Sequence, residues 1–350
     1  MKIVFILKLR EDYNTKVHSK GMSTGLLNSA SFMHNMMLKN GYDSTIEIVQ
    51  DGNSIDRVLT ETKATIAIIE ALWVTPAKIG ELTKLHPNVK FIIRLHSETP
   101  FIAGEGIATD WISDYLRIPN TVIAPNSMRI FKELESVFGY RGDITSKMIF
   151  LPNYYPTHFN KKPKLHSDEI NIACFGAVRP LKNNLLQAFS AIAIADKLSK
   201  KLVFHMNAGR IEGGAQPAFK NIIKLFEGIA DSGHKLVLHD WMDHKTFIEV
   251  CAQMDLGLQV SFSETFNIVT ADMMSCGVPI VGSLGEIPWS NEFFNADPVD
   301  FEDIVASGVF SYKFGWLNVF CNQRSLVKYS KKTEKIWNKY FKKESKLCLK

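Results

Sequence analysis

Short apolar, β-branched runs alternate with amphipathic stretches along nearly the whole chain, and that rhythm leaves little choice of architecture. Parallel strands need crossover helices of about a dozen residues or more, and a strand–helix–strand alternation supplies them. In the first half the runs read as strands at 2–7, 45–49, 65–69, 90–95, 121–124 and 148–151, with a helix at 25–39. In that helix Leu26, Ala30, Met33 and Met37 fall at i, i+4, i+7 and i+11, a single stripe suited to burial, and Gly41 follows as its cap. The second half repeats the rhythm, with strands at 170–175, 201–206, 235–238, 255–259 and 279–281 and helices at 183–197, 217–229, 244–253 and 267–276. Between the halves Pro152, Pro156 and Pro163 rule out a continuous helix or a central strand, so this stretch reads as a linker. With 350 residues the chain is too long for one typical core and sufficient for two. The expectation is an α/β protein with parallel-sheet domains at 1–155 and 165–324, followed by a C-terminal helix and tail at 325–350.

No apolar run approaches the roughly 20 residues that span a bilayer, so no integral membrane segment is expected. The apolar start is too short for a secretory signal and runs into charges, which fits a buried first strand better. The cysteines are odd in number and scattered, with no Cys-x-x-Cys pair, so neither a disulfide framework nor a zinc site is indicated. A reduced, cytoplasmic protein is the expectation. The net charge of +5 is uneven: from Arg324 to Lys350, ten basic residues stand against Glu334 and Glu344, a local +8. Such a tail suits nucleic acid or an anionic membrane surface, or is simply a solvated helix end.

Three segments carry chemistry. In 263–281, Glu264 lies in a Ser/Thr/Asn-rich loop and Asp272 lies eight positions on, within a short apolar helix that Gly277 and Pro279 end. Eight residues at about 100° each return to nearly the same face, so both acids are expected to face one site. In 174–184 a strand turns at Gly176 and opens a helix beside Arg179 and Lys182, a setting that suits an anion. In 90–98, His96 should emerge at the C-terminal end of a strand, where open α/β sheets bind ligands, with Ser97 and Glu98 beside it. No carboxylate suited to act as its base is evident next to His96. Gly21 and Gly25 before the first helix would permit close backbone approach, or form a plain loop and cap.

The 263–281 segment resembles the Glu-x7-Glu signature of retaining nucleotide-sugar glycosyltransferases of the GT-B fold, the large family 4 type. The match runs through Glu264, Phe266, Ile268, Met273 or Met274, Gly277, Pro279 and Val281; Asn267 stands where that family has Gly, and Asp272 where it usually has Glu. The 174–184 segment is similar to that family's Gly-Arg-x4-Lys: Lys182 matches, whereas the family arginine falls at Ala177 and the arginine here is Arg179. The resemblance implies two Rossmann-like domains facing an inter-domain cleft. It implies a donor site of Gly21, Gly176, Arg179, Lys182, Trp241, Met242, Glu264, Phe266, Asn267, Ile268 and Asp272, with His96 and Glu264 as catalytic residues and Ser97 and Glu98 on the acceptor side. Cations at the diphosphate would stabilise the leaving group. Trp241 would stack on a nucleotide base, or be a half-buried core residue. The co-substrate implied is a nucleotide-sugar, most simply a UDP-sugar, with no cofactor; with no Asp-x-Asp motif, no metal is expected.

The stretches 69–74, 85–90 and 94–98 also look similar to glycosyltransferases of tailed bacteriophages. That resemblance, with the basic tail, suggests DNA as acceptor through hydroxymethylated pyrimidines. A transferase for a cell-surface glycan or lipid carrier is the alternative, and it would favour apolar anchors near the basic patch. A non-catalytic nucleotide-sugar- or DNA-binding protein is the alternative of another class.

Overall fold

The computed structural model describes residues 1–9, 24–139, 145–159 and 168–347. They form two compact units. One combines the described residues up to Pro156 with those from Tyr329 onward; the other comprises the described residues from Thr157 to Lys328.

The first unit contains β1 (Lys2–Lys8), α1 (Thr24–Lys39), β2 (Asp43–Val49), α2 (Ser54–Thr62), β3 (Ile66–Glu70), α3 (Pro76–Leu85), β4 (Lys90–Leu95), α4 (Thr99–Ile102), α5 (Ala108–Tyr115), β5 (Thr121–Pro125) and α6 (Met128–Phe138). Its sheet is parallel throughout, in the order β2-β1-β3-β4-β5. Because successive side chains point to opposite faces, Val4, Ile6, Ala67, Ile69, Phe91 and Ile93 pack with α2, α3 and α5 on one side. Ile3, Phe5, Ile66, Ile68 and Ile92 meet Met33 and Met37 of α1 on the other. Burial on both faces accounts for the continuous apolar runs of these strands. Gly41 adopts φ +80°, and the amide of Tyr42 closes the helix end onto the Met37 carbonyl at 3.1 Å. The strand expected at 148–151 is absent as such. Met148 makes an isolated bridge to Ile123 and the Leu151 amide donates to Pro125, but Pro152 and its missing N–H follow at once.

The second unit contains β6 (Glu169–Cys174), α7 (Asn184–Lys197), β7 (Lys201–Asn207), α8 (Gln216–Gly228), β8 (Lys235–His239), α9 (His244–Cys251), β9 (Leu256–Gln259), α10 (Ile268–Ser275), β10 (Ile280–Gly282) and α11 (Phe301–Lys313). Its parallel sheet runs β10-β9-β6-β7-β8. The strand order reverses between β6 and β9, so the loops leaving those two strands diverge and open a crevice at the sheet's carboxyl edge.

The last element, α12 (Gly315–Leu347), begins ten residues before the C-terminal helix and tail expected at 325–350. It begins in the second unit, and from Tyr329 on it packs in the first. There Trp337 stacks on Phe5 with ring centroids 6.2 Å apart and donates its indole N–H to the Pro152 carbonyl at 2.9 Å, while Ser330 donates to the Tyr155 carbonyl at 2.9 Å. Among the described residues no single helix is long and apolar enough to cross a membrane.

Candidate active site

At the switch point of the second sheet, the loops after β6 and β9 are stitched together by amide side chains. Gln187 of α7 donates to the Lys182 carbonyl at 2.7 Å and accepts from the Val260 amide at 2.8 Å. Asn183, in a left-handed conformation at φ 55°, donates to the carbonyls of Val260 at 3.2 Å and Pro298 at 2.7 Å. The Phe262 amide reaches the Leu181 carbonyl at 2.9 Å. Gly176 takes φ +112°, which a residue with a Cβ rarely adopts, and its amide donates to Asn207 Oδ1 at 2.8 Å.

These restraints bring Lys182 and Glu264 together: the lysine Nζ donates to Glu264 Oε1. The same carboxylate oxygen accepts from Asn267 Nδ2 at 3.0 Å, and the Glu264 amide donates to Glu286 Oε2 at 3.0 Å. Asn267 explains its own departure from the glycine of the resembled motif. Its φ of 55° is a conformation asparagine tolerates better than most residues, and its side chain caps α10 by accepting from the Thr270 amide at 3.0 Å. Its amide group also donates to Gln259 Oε1 at 3.1 Å, while Gln259 holds the Phe175 carbonyl at 3.0 Å.

Arg179 and Arg210 share one carboxylate. Glu212 Oε2 lies 2.5 Å from Arg179 Nη2, and its other oxygen accepts from Arg210 Nε. A β-bridge between Val178 and Ile211 sets this register, with the Val178 amide on the Arg210 carbonyl at 2.9 Å. Burial alone pushes the Glu212 carboxyl up, but the two guanidinium groups outweigh it and hold it below its usual range. Arg210 in turn lies over the Trp241 ring at 5.4 Å, so one face of that indole already carries a cation. Met242, the neighbour of Trp241, is half-buried.

The acids do not both face one site. Asp272 is 1% exposed, and its Oδ1 holds His244 Nε2 at 2.8 Å. Residues Thr270 to Ser275 of α10 are all buried, so the helix's second turn lies in the core rather than along a crevice. Burial lowers the His244 pKa, but the Asp272 hydrogen bond and charge raise it further, and the net effect is upward. Phe266 is likewise a core residue, against Trp289, whose indole N–H donates to the Phe266 carbonyl at 3.0 Å. Ile268 is the first residue of α10 and is half-buried. Gly21 lies outside the described residues.

In the first unit, His96 follows β4 at the sheet's carboxyl edge. The carboxylate not evident in its sequence neighbourhood comes from β3: Glu70 Oε2 lies 2.5 Å from His96 Nε2. The other ring nitrogen, Nδ1, lies 3.3 Å from the Asn126 amide group. This pairing favours the tautomer with the proton on Nε2. Arg94, fully buried, donates to both Glu70 oxygens at 3.0 and 3.3 Å and to Asn153 Oδ1 at 2.5 Å. Burial pushes Glu70 up, yet Arg94 and His96 hold it below its usual range; burial lowers the His96 pKa and outweighs the pull of Glu70. Glu98 is turned into its own unit, 3.0 Å from Arg129 Nε, while Ser97 is half-buried. Among the described residues no group of three His, Cys, Asp or Glu is arranged to hold a metal.

Asn126, Asn153, Gln187, Arg210, Glu212, His244 and Glu286 were not singled out from the sequence, and neither were Glu70 and Gln259. Position at strand ends was the only cue available, and it marks Glu70 and Gln259.

No protein-family model matches the chain, and no curated protein matches it. Solved structures do. The chain is similar to HepE of Anabaena, solved with UDP and glucose, at TM-score 0.63 and 12% identity over 99% of both chains. It is similar to a sucrose-phosphate synthase of Thermosynechococcus elongatus at TM-score 0.66 and 10% identity, over 99% of this chain and all of the other. A variant of TarM from S. aureus, solved with UDP and alpha-GlcNAc-glycerol, matches at TM-score 0.61 and 15% identity over 83% of this chain and 57% of that one. At these identities the likeness is one of fold, and the fold is GT-B: two parallel-sheet α/β units of five strands each.

Proposed function

We propose that the chain is a glycosyltransferase that moves a sugar from a nucleotide-sugar, most simply a UDP-sugar, to a hydroxyl acceptor with retention and without a metal. The observation that carries this reading is the Lys182–Glu264–Asn267 cluster at the switch point of the second sheet. Lys182 supplies positive charge for a diphosphate and Glu264 an acceptor for sugar hydroxyls, and an ion pair holds the two together. Arg179 and Arg210 are further cations for the diphosphate, aligned by Glu212. Positive charge on the departing diphosphate stabilises the transition state. UDP in the HepE and TarM structures supports the donor class. His96 is assigned to orienting the reacting groups; Glu70 holds its Nε2 and the Asn126 amide group lies against its Nδ1.

For the acceptor, the resemblance to bacteriophage enzymes and the lysines of α12 support hydroxymethylated pyrimidine in DNA. A cell-surface glycan or lipid carrier is the second reading, supported by exposed aromatic residues at the start of the same helix. Incubation with a panel of sugar nucleotides against hydroxymethylated DNA and against lipid-linked acceptors, read by mass spectrometry of nucleosides and lipids, tests both. Sugar on one acceptor class selects it. Donor binding without transfer or hydrolysis would leave a non-catalytic binding protein.

A further inference from the structure

Within the first unit, Glu70 and Arg94 are register partners on β3 and β4, and His96 follows Arg94 by two residues. Alternation along the strands therefore brings all three side chains to one face of the sheet, the face otherwise lined by Ile66, Ile68 and Ile92. Glu70 and Arg94 are both buried. Apolar residues in place of a buried ion pair often cost a fold nothing, so burial gives no reason for a carboxylate here. Directly after Glu70 the backbone turns through Ala71 at φ +73°, which alanine rarely adopts, and the Trp73 indole N–H donates to the Glu70 carbonyl at 3.0 Å. Strain of this kind persists where the surroundings over-determine the backbone, and it gathers at functional sites.

Arg94 is pinned on its far side. Its Nη2 donates to the Leu151 carbonyl at 3.3 Å and to Asn153 Oδ1 at 2.5 Å, and the Trp337 ring covers the guanidinium at 5.2 Å. Nη1 is thereby aimed at both Glu70 oxygens, Oε1 at 3.0 Å and Oε2 at 3.3 Å. Oε2 is also the oxygen 2.5 Å from His96 Nε2. An ionised carboxylate only accepts, so Nε2 carries the proton. Burial lowers the His96 pKa and favours the neutral ring, in which Nδ1 is then an acceptor. Glu98, two residues on, is held by Arg129 at 3.0 Å. The Asn126 amide group lies 3.3 Å from Nδ1, long for a hydrogen bond, so Nδ1 is the nitrogen for which a ligand hydroxyl competes.

We propose that Glu70, backed by Arg94, is a positioning residue: it fixes His96 as the Nε2–H tautomer, so that Nδ1 accepts a hydrogen bond from a hydroxyl of the reacting ligands. The ligand rests on the transferase reading; the tautomer does not. An amide in place of the carboxylate exposes the device. In Glu70→Gln, Arg94 Nη1 claims the amide oxygen and the amide NH2 turns to His96. Nε2 must then accept, and the ring proton moves to Nδ1.

The test is NMR of the full chain with 15N-labelled histidine, in which long-range ring couplings show the protonated nitrogen, with His96→Gln to assign the signal. Wild type and Glu70→Asp should carry the His96 proton on Nε2, and Glu70→Gln on Nδ1. In transfer assays Glu70→Gln should lower kcat by about 30-fold or more at unchanged UDP affinity, while Glu70→Asp stays within about tenfold of wild type. A proton on Nδ1 in wild type overturns the proposal. So does a folded Glu70→Gln variant that keeps the proton on Nε2 or transfers like wild type. Should Glu70→Gln fail to fold by circular dichroism, the wild-type and Glu70→Asp tautomers decide. The tautomer is read without donor or acceptor. A chain that shows these tautomers and transfers no sugar therefore refutes the transferase reading, and leaves Glu70 as the residue that sets His96.

Discussion

Under the proposed donor site, Glu264→Gln should separate sugar recognition from nucleotide recognition. Glu264 accepts from Lys182 and from Asn267, and its side chain is 8% exposed against 23% for the lysine. Glutamine preserves the shape and keeps one acceptor oxygen but removes the charge, so the loss of fold stability should be about 1–2 kcal/mol, less than for an entirely buried pair. If Glu264 accepts from donor-sugar hydroxyls, losing a charged hydrogen bond worth about 2–3 kcal/mol lowers kcat/KM by about 30–150-fold. Free UDP has no sugar to hold, and a neutral amide competes less well than the carboxylate for Lys182, so UDP affinity should stay level or rise. Calorimetry with UDP and with the UDP-sugar, beside steady-state transfer rates, reads both quantities. Equal losses for UDP and UDP-sugar, or transfer within twofold of wild type, would refute the assignment of Glu264 to the sugar.

Other expectations follow from the same contacts. Lys182→Ala should weaken UDP binding far more than uridine binding, and an unchanged UDP affinity by calorimetry removes Lys182 from the diphosphate. Asn267→Gly relieves the left-handed backbone but deletes the bonds to Thr270 and Glu264; stability should change by only a few tenths of a kcal/mol while transfer falls, and full activity would sink the role given to Asn267. Because the His244 pKa is raised in the fold, its pairing with Asp272 contributes fully below its ordinary value of about 6.5 and is lost as pH rises through the folded value. The urea midpoint of wild type should therefore decline across that interval, and that of His244→Gln should not; parallel curves would contradict it. Burial, assisted by His239, pushes His205 down to about 4, so the opposite sign holds there. Stability falls as pH drops from about 6.5 toward that value, and His205→Gln should flatten that arm.

Periodicity made most of the fold legible, because strands buried on both faces and helices with one apolar stripe depend on local pattern alone. The Met33 and Met37 stripe and the turn at Gly41 are examples. The resemblance named Lys182 and Glu264 separately; that they form an ion pair was not legible, because it depends on β6 and β9 lying side by side in the sheet. The direction of Asp272 was not legible either. Helical spacing relates it to Glu264 only if both belong to one helix, and Glu264 precedes α10, which is buried almost all round. The partners of His96 and Arg179 were hidden for a different reason: Glu70 and Glu212 are 26 and 33 residues away, and only strand pairing brings them near. Asn267 looked like a defect in a glycine position; its cap on Thr270 and its bond to Glu264 give it a structural reason.

The central claim is that the switch-point cluster of the second unit holds a nucleotide-sugar. Titration of the full chain with UDP-glucose, UDP-N-acetylglucosamine, UDP-galactose and their GDP, ADP and TDP counterparts tests it most directly, with the Lys182→Ala, Glu264→Gln double variant as control. Saturable binding of at least one donor by wild type, weakened about 30-fold or more in a folded double variant, is the predicted result. Failure of the folded wild type to bind any nucleotide-sugar, or binding that the double variant retains, would contradict it.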